Sequence, residues 1–181
     1  IKETDENYRR YRLTESGISD RGIPGFGKGL VGVDSDEHDE EGHITEDLQL
    51  RSQMVNKRLK KLESIRKEAI PPTLIGTGNY RSLVVGWGST FHVIQEALEG
   101  LGRDDTSFLH FKQVYPLPPN IEGLFRRAEK IIVVENNATG QFAKLLKLEL
   151  GIDIQEKILQ YDGLPFSVEG LSQILEKCLA G

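Results

Sequence analysis

From Tyr80 to the carboxyl end, short apolar runs alternate with stretches whose apolar residues recur at helical spacing. Ser82–Trp87 predicts a strand, after which Phe91, Ile94, Ala97, Leu98 and Leu101 share one helical face. Ser107–Phe111 predicts a second strand, followed by Pro116, Pro118 and Pro119, an Asn120 cap, and a helix with Ile121, Leu124, Phe125 and Ala128 turned inward. Lys130–Glu135 is the third and most hydrophobic strand. Thr139 is expected to cap a helix carrying Phe142, Leu145, Leu146 and Leu150, and Lys157–Gln160 reads as a fourth strand. Ser167 is expected to cap a last helix with Leu171, Ile174, Leu175 and Cys178 on one stripe. Strands alternating with helices require crossover connections, so the predicted fold class is α/β, a three-layer arrangement around an open, mostly parallel sheet. In such sheets ligands and partners meet the carboxyl ends of the strands, which directs attention to residues 86–90 and 135–140.

The first part of the chain follows a different rule. Gly25, Gly27, Gly29 and Gly32 interrupt any amphipathic period and predict an extended loop region. Residues 34–47 then carry eight acidic side chains and no basic one, and Thr45-Glu46-Asp47 has the chemistry of a helix start. A long helix is expected from Leu48 to Ala69. Its apolar face would hold Leu48, Leu50, Met54, Val55, Leu59, Leu62, Ile65 and Ala69, and Lys57–Lys61 would form its wet side. Pro71-Pro72 ends it, placing a domain boundary at residues 70–80.

Composition narrows the function. With 181 residues, 38% hydrophobic and 28% charged, the chain can bury a core as one domain with an appendage. One cysteine excludes an internal disulfide and an iron–sulfur cluster held by this chain alone. The net charge of −5 argues against a general nucleic-acid or anionic-membrane binder, and no apolar stretch approaches a membrane span. With one cysteine, no apolar span and no signal-peptide pattern at Ile1–Asp5, a reducing cytoplasmic setting is expected, and the start at Ile1 with Met54 as the single methionine leads us to expect that the chain begins inside a longer product.

Three segments carry candidate chemistry. Gly86-Trp87-Gly88-Ser89-Thr90 follows a strand and opens a helix, a place where free N–H groups can hold an anion. The dinucleotide fingerprint would need glycine where Phe91 stands, so a tight turn allowing close packing is the favoured reading. Glu135-Asn136-Asn137-Ala138-Thr139-Gly140-Gln141 ends the central strand and suits a contact surface or an anion site. Glu37-His38-Asp39-Glu40-Glu41-Gly42-His43 has donors for a divalent metal, with His38, His43 and Asp39 as ligands. Its alternative is a solvated loop whose carboxylates pair with basic residues of a neighbouring segment or subunit. His92 and His110 stand apart from one another and read as packing or surface residues, and Cys178 as buried and inert.

Taken in order, Tyr11–Gly25, Glu37–His43, Gly86–Thr90, Val114-Tyr115-Pro116 and Glu135–Gln141 resemble the α subunit of 2-oxoacid:ferredoxin oxidoreductases, and the 2-oxoglutarate type most. The resemblance implies that residues 1–72 are the tail of a pyrimidine-binding domain with its connecting loop and long helix. It implies that residues 80–181 form a domain similar to the transketolase C-terminal domain. It further implies an assembly that decarboxylates a 2-oxo acid on thiamine diphosphate with magnesium, reduces ferredoxin through iron–sulfur clusters on a β subunit, and delivers the acyl group to coenzyme A. The thiamine diphosphate signature places Gly-Asp-Gly before Asn-Asn, whereas here Tyr161-Asp162-Gly163 follows and lacks the first glycine. On this reading the chain holds no catalytic residue and no cofactor of its own. Its interface candidates are Glu37, His38, Asp39, Gly86, Gly88, Ser89, Thr90, Glu135, Asn136, Asn137, Thr139, Gly140 and Gln141. A free-standing anion or nucleotide module acting through Gly88, Ser89, Thr139 or Gly140, and a metal-binding protein, are the alternatives.

Overall fold

The glycine-rich beginning of the chain folds around a long helix in the computed structural model, which describes residues 1–180. Strand β1 (Lys2–Thr4) pairs in parallel with β2 (Gly22–Gly27), so part of the segment expected to be loop is a small sheet. Its glycines admit the pairing: a side chain at Gly27 would strike the Thr4 backbone. Helix α1 (Leu48–Lys67) starts where expected, with Asp47 Oδ1 accepting the Gln49 and Leu50 N–H groups at 2.8 and 3.1 Å. Its expected apolar face is not a core face, however. Met54 is its one buried residue, while Leu48, Val55, Leu59 and Ile65 are exposed. These elements make up a compact unit over Ile1–Lys67, and the residues from Glu68 onward make up a second.

The second unit contains β3 (Thr73–Gly76), β4 (Ser82–Trp87), β5 (Thr106–Phe111), β6 (Lys130–Glu135) and β7 (Glu156–Leu159) in the order β3-β5-β4-β6-β7. Four strands run parallel, and β3 lies antiparallel to β5 at the edge, with Thr73 opposite His110 and Gly76 opposite Ser107. The stretch expected to be a boundary therefore contributes a sheet strand. Helices α2 (Phe91–Leu101), α3 (Glu122–Arg126), α4 (Gln141–Leu150) and α5 (Val168–Ala180) complete it. Alternation along the strands divides the core into two layers. Leu83, Val85, Ile131 and Val133 pack with Phe125 of α3 and Phe142 and Leu146 of α4. Val84, Ile132 and Val134 pack with Ile94 and Ala97 of α2 and Leu171 and Leu175 of α5. Each of these buried valine, leucine, isoleucine and phenylalanine side chains contributes about 1.5–3 kcal/mol of transfer free energy. Helices thus cover both faces of an open, mostly parallel sheet, as the alternating pattern predicts.

The caps are partly as expected. Ser167 Oγ accepts the Gly170 N–H at 3.1 Å at the start of α5. Ser167→Ala should lower the stability of the second unit by ~1 kcal/mol, read from its urea unfolding midpoint. Asn120 does not cap α3: it adopts φ 63°, Ile121 occupies the N-cap position, and the helix is only five residues long. Thr139 does not cap α4 either, for a reason given below. Among the described residues no helix is long and apolar enough to cross a membrane.

Candidate functional site at the carboxyl ends of the central strands

Parallel strands β4 and β6 lie side by side, so their carboxyl ends present residues 86–90 and 135–141 next to one another. The connection from β4 passes through α2 on one face, and that from β6 passes through α4 on the other. The two connections diverge to opposite faces at this point, the usual ligand position of an open α/β sheet. Trp87 and Phe142 bridge the two loops, with ring centroids 6.4 Å apart. The indole N–H of Trp87 is buried without a partner among the described residues.

The first loop is built for close packing. Gly86 is buried, and a side chain there would collide with Ile94 Cδ1 and approach Thr90 Oγ1 to 2.9 Å. Thr90 Oγ1 accepts the Trp87 N–H at 3.1 Å and donates to the Trp87 carbonyl at 2.9 Å, which closes the turn. His110, 5% exposed and set against Phe91 and Phe108, donates from Nε2 to the Gly88 carbonyl at 3.0 Å. Its Nδ1 is buried without a partner among the described residues, and the ring packs against its aromatic neighbours. Gly88 and Ser89 are exposed, whereas Gly86 and Thr90 are interior.

The second loop is organised by Glu135, which is fully buried. Its Oε2 accepts the Phe142 N–H at 2.9 Å, and its Oε1 accepts the Ala143 N–H at 3.0 Å. Asn137 Nδ2 donates to Oε2 at 2.7 Å, while Asn137 Oδ1 accepts the Thr139 and Gln141 N–H groups, both at 3.2 Å. The first turn of α4 is therefore capped from beneath by a strand-terminal carboxylate, and Gly140 takes the N-cap position at φ 62°. This replaces the expected Thr139 cap. Side chains of the chain itself already occupy the N–H groups of Thr139, Gln141, Phe142 and Ala143 at the start of α4, the donors an anion at this helix end would use. Glu135 and Gly140 shape the loop from inside, and Asn136, Thr139 and Gln141 face solvent.

The acidic loop belongs to the first unit. Arg58 donates through Nη1 and Nη2 to both carboxylate oxygens of Glu37 at 3.0 and 2.8 Å, and this pairing holds the Glu37 carboxyl below its usual range. Glu40 accepts the Leu13 N–H at 2.6 Å and Arg9 Nη1 at 3.0 Å. Asp39 Oδ1 gathers the Glu41, Gly42 and His43 N–H groups at 2.8–3.0 Å, and the His43 N–H contributes most to its lowered pKa. Its carboxylates thus pair with neighbouring segments of the same chain. The expected ligand set is rearranged as well. Asp39, Glu41 and His43 come together, but His38 turns its ring onto Tyr11, 3.8 Å between centroids, and directs Nδ1 to the Asp36 carbonyl at 2.9 Å. Lys57 departs from the expected wet face: it is half-buried with its Nζ 5.9 Å from the Tyr11 ring. His92 is exposed, and the half-buried Cys178 thiol is pushed up in pKa by burial.

No family model matches the chain. It is 38% identical to the α subunit of 2-oxoacid:ferredoxin oxidoreductase 1 of Sulfurisphaera tokodaii over 99% of its own length and 29% of that relative's. It is 30% identical to the 2-oxoglutarate oxidoreductase subunit KorA of Mycobacterium tuberculosis over 58% of its length and 16% of that subunit's. A structure of 2-oxoglutarate:ferredoxin oxidoreductase from Magnetococcus marinus, with 2-oxoglutarate, coenzyme A and succinyl-CoA bound, superposes with a TM-score of 0.81 at 26% identity. That match covers 94% of this chain and 30% of the other. The chain spans less than a third of the length of these relatives. Agreement in sequence and in fold along nearly the whole chain puts it in the 2-oxoacid:ferredoxin oxidoreductase α-subunit family.

Proposed function

We propose that the chain is the carboxyl-terminal portion of the α subunit of a thiamine-diphosphate-dependent 2-oxoacid:ferredoxin oxidoreductase. The complete enzyme would convert a 2-oxo acid, 2-oxoglutarate being the favoured one, to its acyl-CoA with reduction of ferredoxin in the cytoplasm. Within it, residues 1–72 would be the tail and connection of the pyrimidine-binding domain and residues 80–181 the transketolase C-terminal-like domain. The task of this chain is assembly, which holds domains in register around a reactive centre formed elsewhere, where small displacements are costly in rate.

The observation that carries this reading is the end-to-end similarity to oxidoreductase α subunits in a chain whose prominent polar groups are engaged internally. The residues do not fit a metal-bound diphosphate: Asn137 is spent on Glu135 and α4, and Asp162 Oδ1 accepts the Leu164 N–H at 3.0 Å and Gln160 Nε2 at 3.2 Å. Thiamine diphosphate, magnesium and the iron–sulfur cluster accordingly belong to the β subunit or to the rest of the assembly. Loops 36–43, 86–90 and 135–141 are the surfaces offered to those partners, through exposed groups such as Ser89, Asn136, Thr139 and Gln141. Hydrogen exchange of the chain with and without the β subunit tests this. Slower exchange in peptides covering these loops is expected, and unchanged exchange in all three would count against the proposal.

A further inference from the structure

Helix α1 presents to solvent an apolar seam that the first unit does not cover. Leu48, Ser52, Val55, Leu59 and Leu62 follow one another at alternating steps of four and three residues, the spacing with which one helix packs along another. Leu48 is 76%, Val55 38% and Leu59 54% exposed, and Leu62 is half-buried. Ser52, the one polar member, donates its hydroxyl to the Leu48 carbonyl at 3.0 Å, so the seam can be dried without leaving that group unpaired. The helix buries a different side, where Met54 is interior and Leu50 and Lys57 are half-buried. A continuous exposed apolar strip of this kind marks a contact. Charge narrows the occupant. Within Leu48–Lys67 seven side chains are basic and Glu63 alone is acidic, although the whole chain carries a net charge of −5. Two copies laid seam to seam would oppose two basic helices, whereas an acidic helix complements one. Size narrows the source. A strip about 30 Å by 10 Å offers on the order of 300 Å² to a partner, well short of the ~800 Å² per side of a stable complex. A separate protein would not be held by this face alone, but a segment of the same polypeptide is kept at high effective concentration by its covalent connection. The chain spans less than a third of the length of its relatives, so such a subunit has polypeptide to supply one.

We propose that the seam of α1 seats an acidic amphipathic helix from the part of the same α subunit that lies outside residues 1–181. Its apolar residues would repeat at the same spacing against Val55, Leu59 and Leu62, with carboxylates bordering them towards basic side chains such as Arg51. The inference rests on the α-subunit reading above and adds to it a surface that none of the three loops includes.

Carbodiimide cross-linking of the complete α subunit, with and without the β subunit, tests it, because the reagent joins a lysine amine to a carboxylate in contact with it. Lys60 and Lys67, exposed on α1, should be joined within one polypeptide to Asp or Glu residues of a single helical segment outside residues 1–181, whether or not the β subunit is present. Leu59→Glu should lower the yield of these links about fivefold, whereas Gln53→Glu, which adds the same charge on another face of the helix, should leave it unchanged. Links only to the β subunit or to a second copy would overturn the proposal, as would the absence of any link from α1 to a segment outside residues 1–181. So would equal losses from the two substitutions, which would mean charge attraction without an apolar seat. The links of the unsubstituted subunit decide the occupant even where a variant fails to fold. A gene product with no further oxidoreductase sequence would overturn the α-subunit reading itself and this proposal with it, whereas links to the β subunit alone would overturn only the proposal.

Discussion

Glu135→Ala should destabilise the second unit by about 3–5 kcal/mol, the largest effect of any single substitution considered for this chain. The carboxylate is fully buried at the end of the central strand β6 and accepts three hydrogen bonds, two of them from the first turn of α4. Truncation leaves the Phe142 and Ala143 N–H groups buried without an acceptor, at about 1–3 kcal/mol each, and opens a void beneath the helix. Glu135→Gln keeps the volume and one acceptor oxygen but turns an amide N–H₂ towards a backbone donor, so about half the loss should remain. Thr139→Ala should cost less than about 0.5 kcal/mol, because the Thr139 side chain faces solvent and caps nothing. Urea unfolding followed by the fluorescence of Trp87, which packs against Phe142, reports all three. A Thr139→Ala loss as large as that of Glu135→Ala would refute the assignment of the cap.

In the first unit the corresponding position is Gly17. It is buried at φ 76°, and a Cβ built there would lie 2.5 Å from the Lys57 carbonyl oxygen and 2.8 Å from the Lys61 nitrogen. Both are backbone atoms of α1, so the obstacle cannot rotate away as a side-chain tip could. Gly17→Ala should therefore combine about 1 kcal/mol of left-handed backbone strain with about 1–3 kcal/mol of overpacking. It should separate the Tyr11–Ser19 segment from the helix. Gly25→Ala supplies the comparison, since Gly25 has φ 81° with open space around it and should show the strain alone. Amide exchange of residues 11–19 should rise sharply in the first variant and little in the second. Equal behaviour of the two would mean that the helix contact contributes nothing.

The elements whose signals are local appear where the pattern puts them. Strands β4 and β6 have the predicted ends, β5 starts one residue earlier and β7 is displaced by one, and α1 begins at its Asp47 cap. Strand β3 was not readable because four residues after two prolines carry no period of their own. Pairing with β5, more than thirty residues downstream, makes them a strand. The same holds for β1 and β2, where close approach at Gly27 and Gly22 depends on a partner distant in sequence. The apolar positions of α1 showed a helix but not what it faces, and only Met54 is buried.

The amino-acid sequence by itself determined the α/β class, the parallel centre of the sheet, the two-sided core and the family, because apolar periodicity and ordered motifs are properties of neighbouring residues. Only the tertiary structure decided that Glu135 lies inside and caps α4, that His38 leaves the acidic cluster for Tyr11, and that Lys57 leaves the wet face for the same ring. The physical reason is common to these cases. A polar side chain takes its role from the partner it is folded against, and Phe142 and Tyr11 reach their places only when the chain closes on itself.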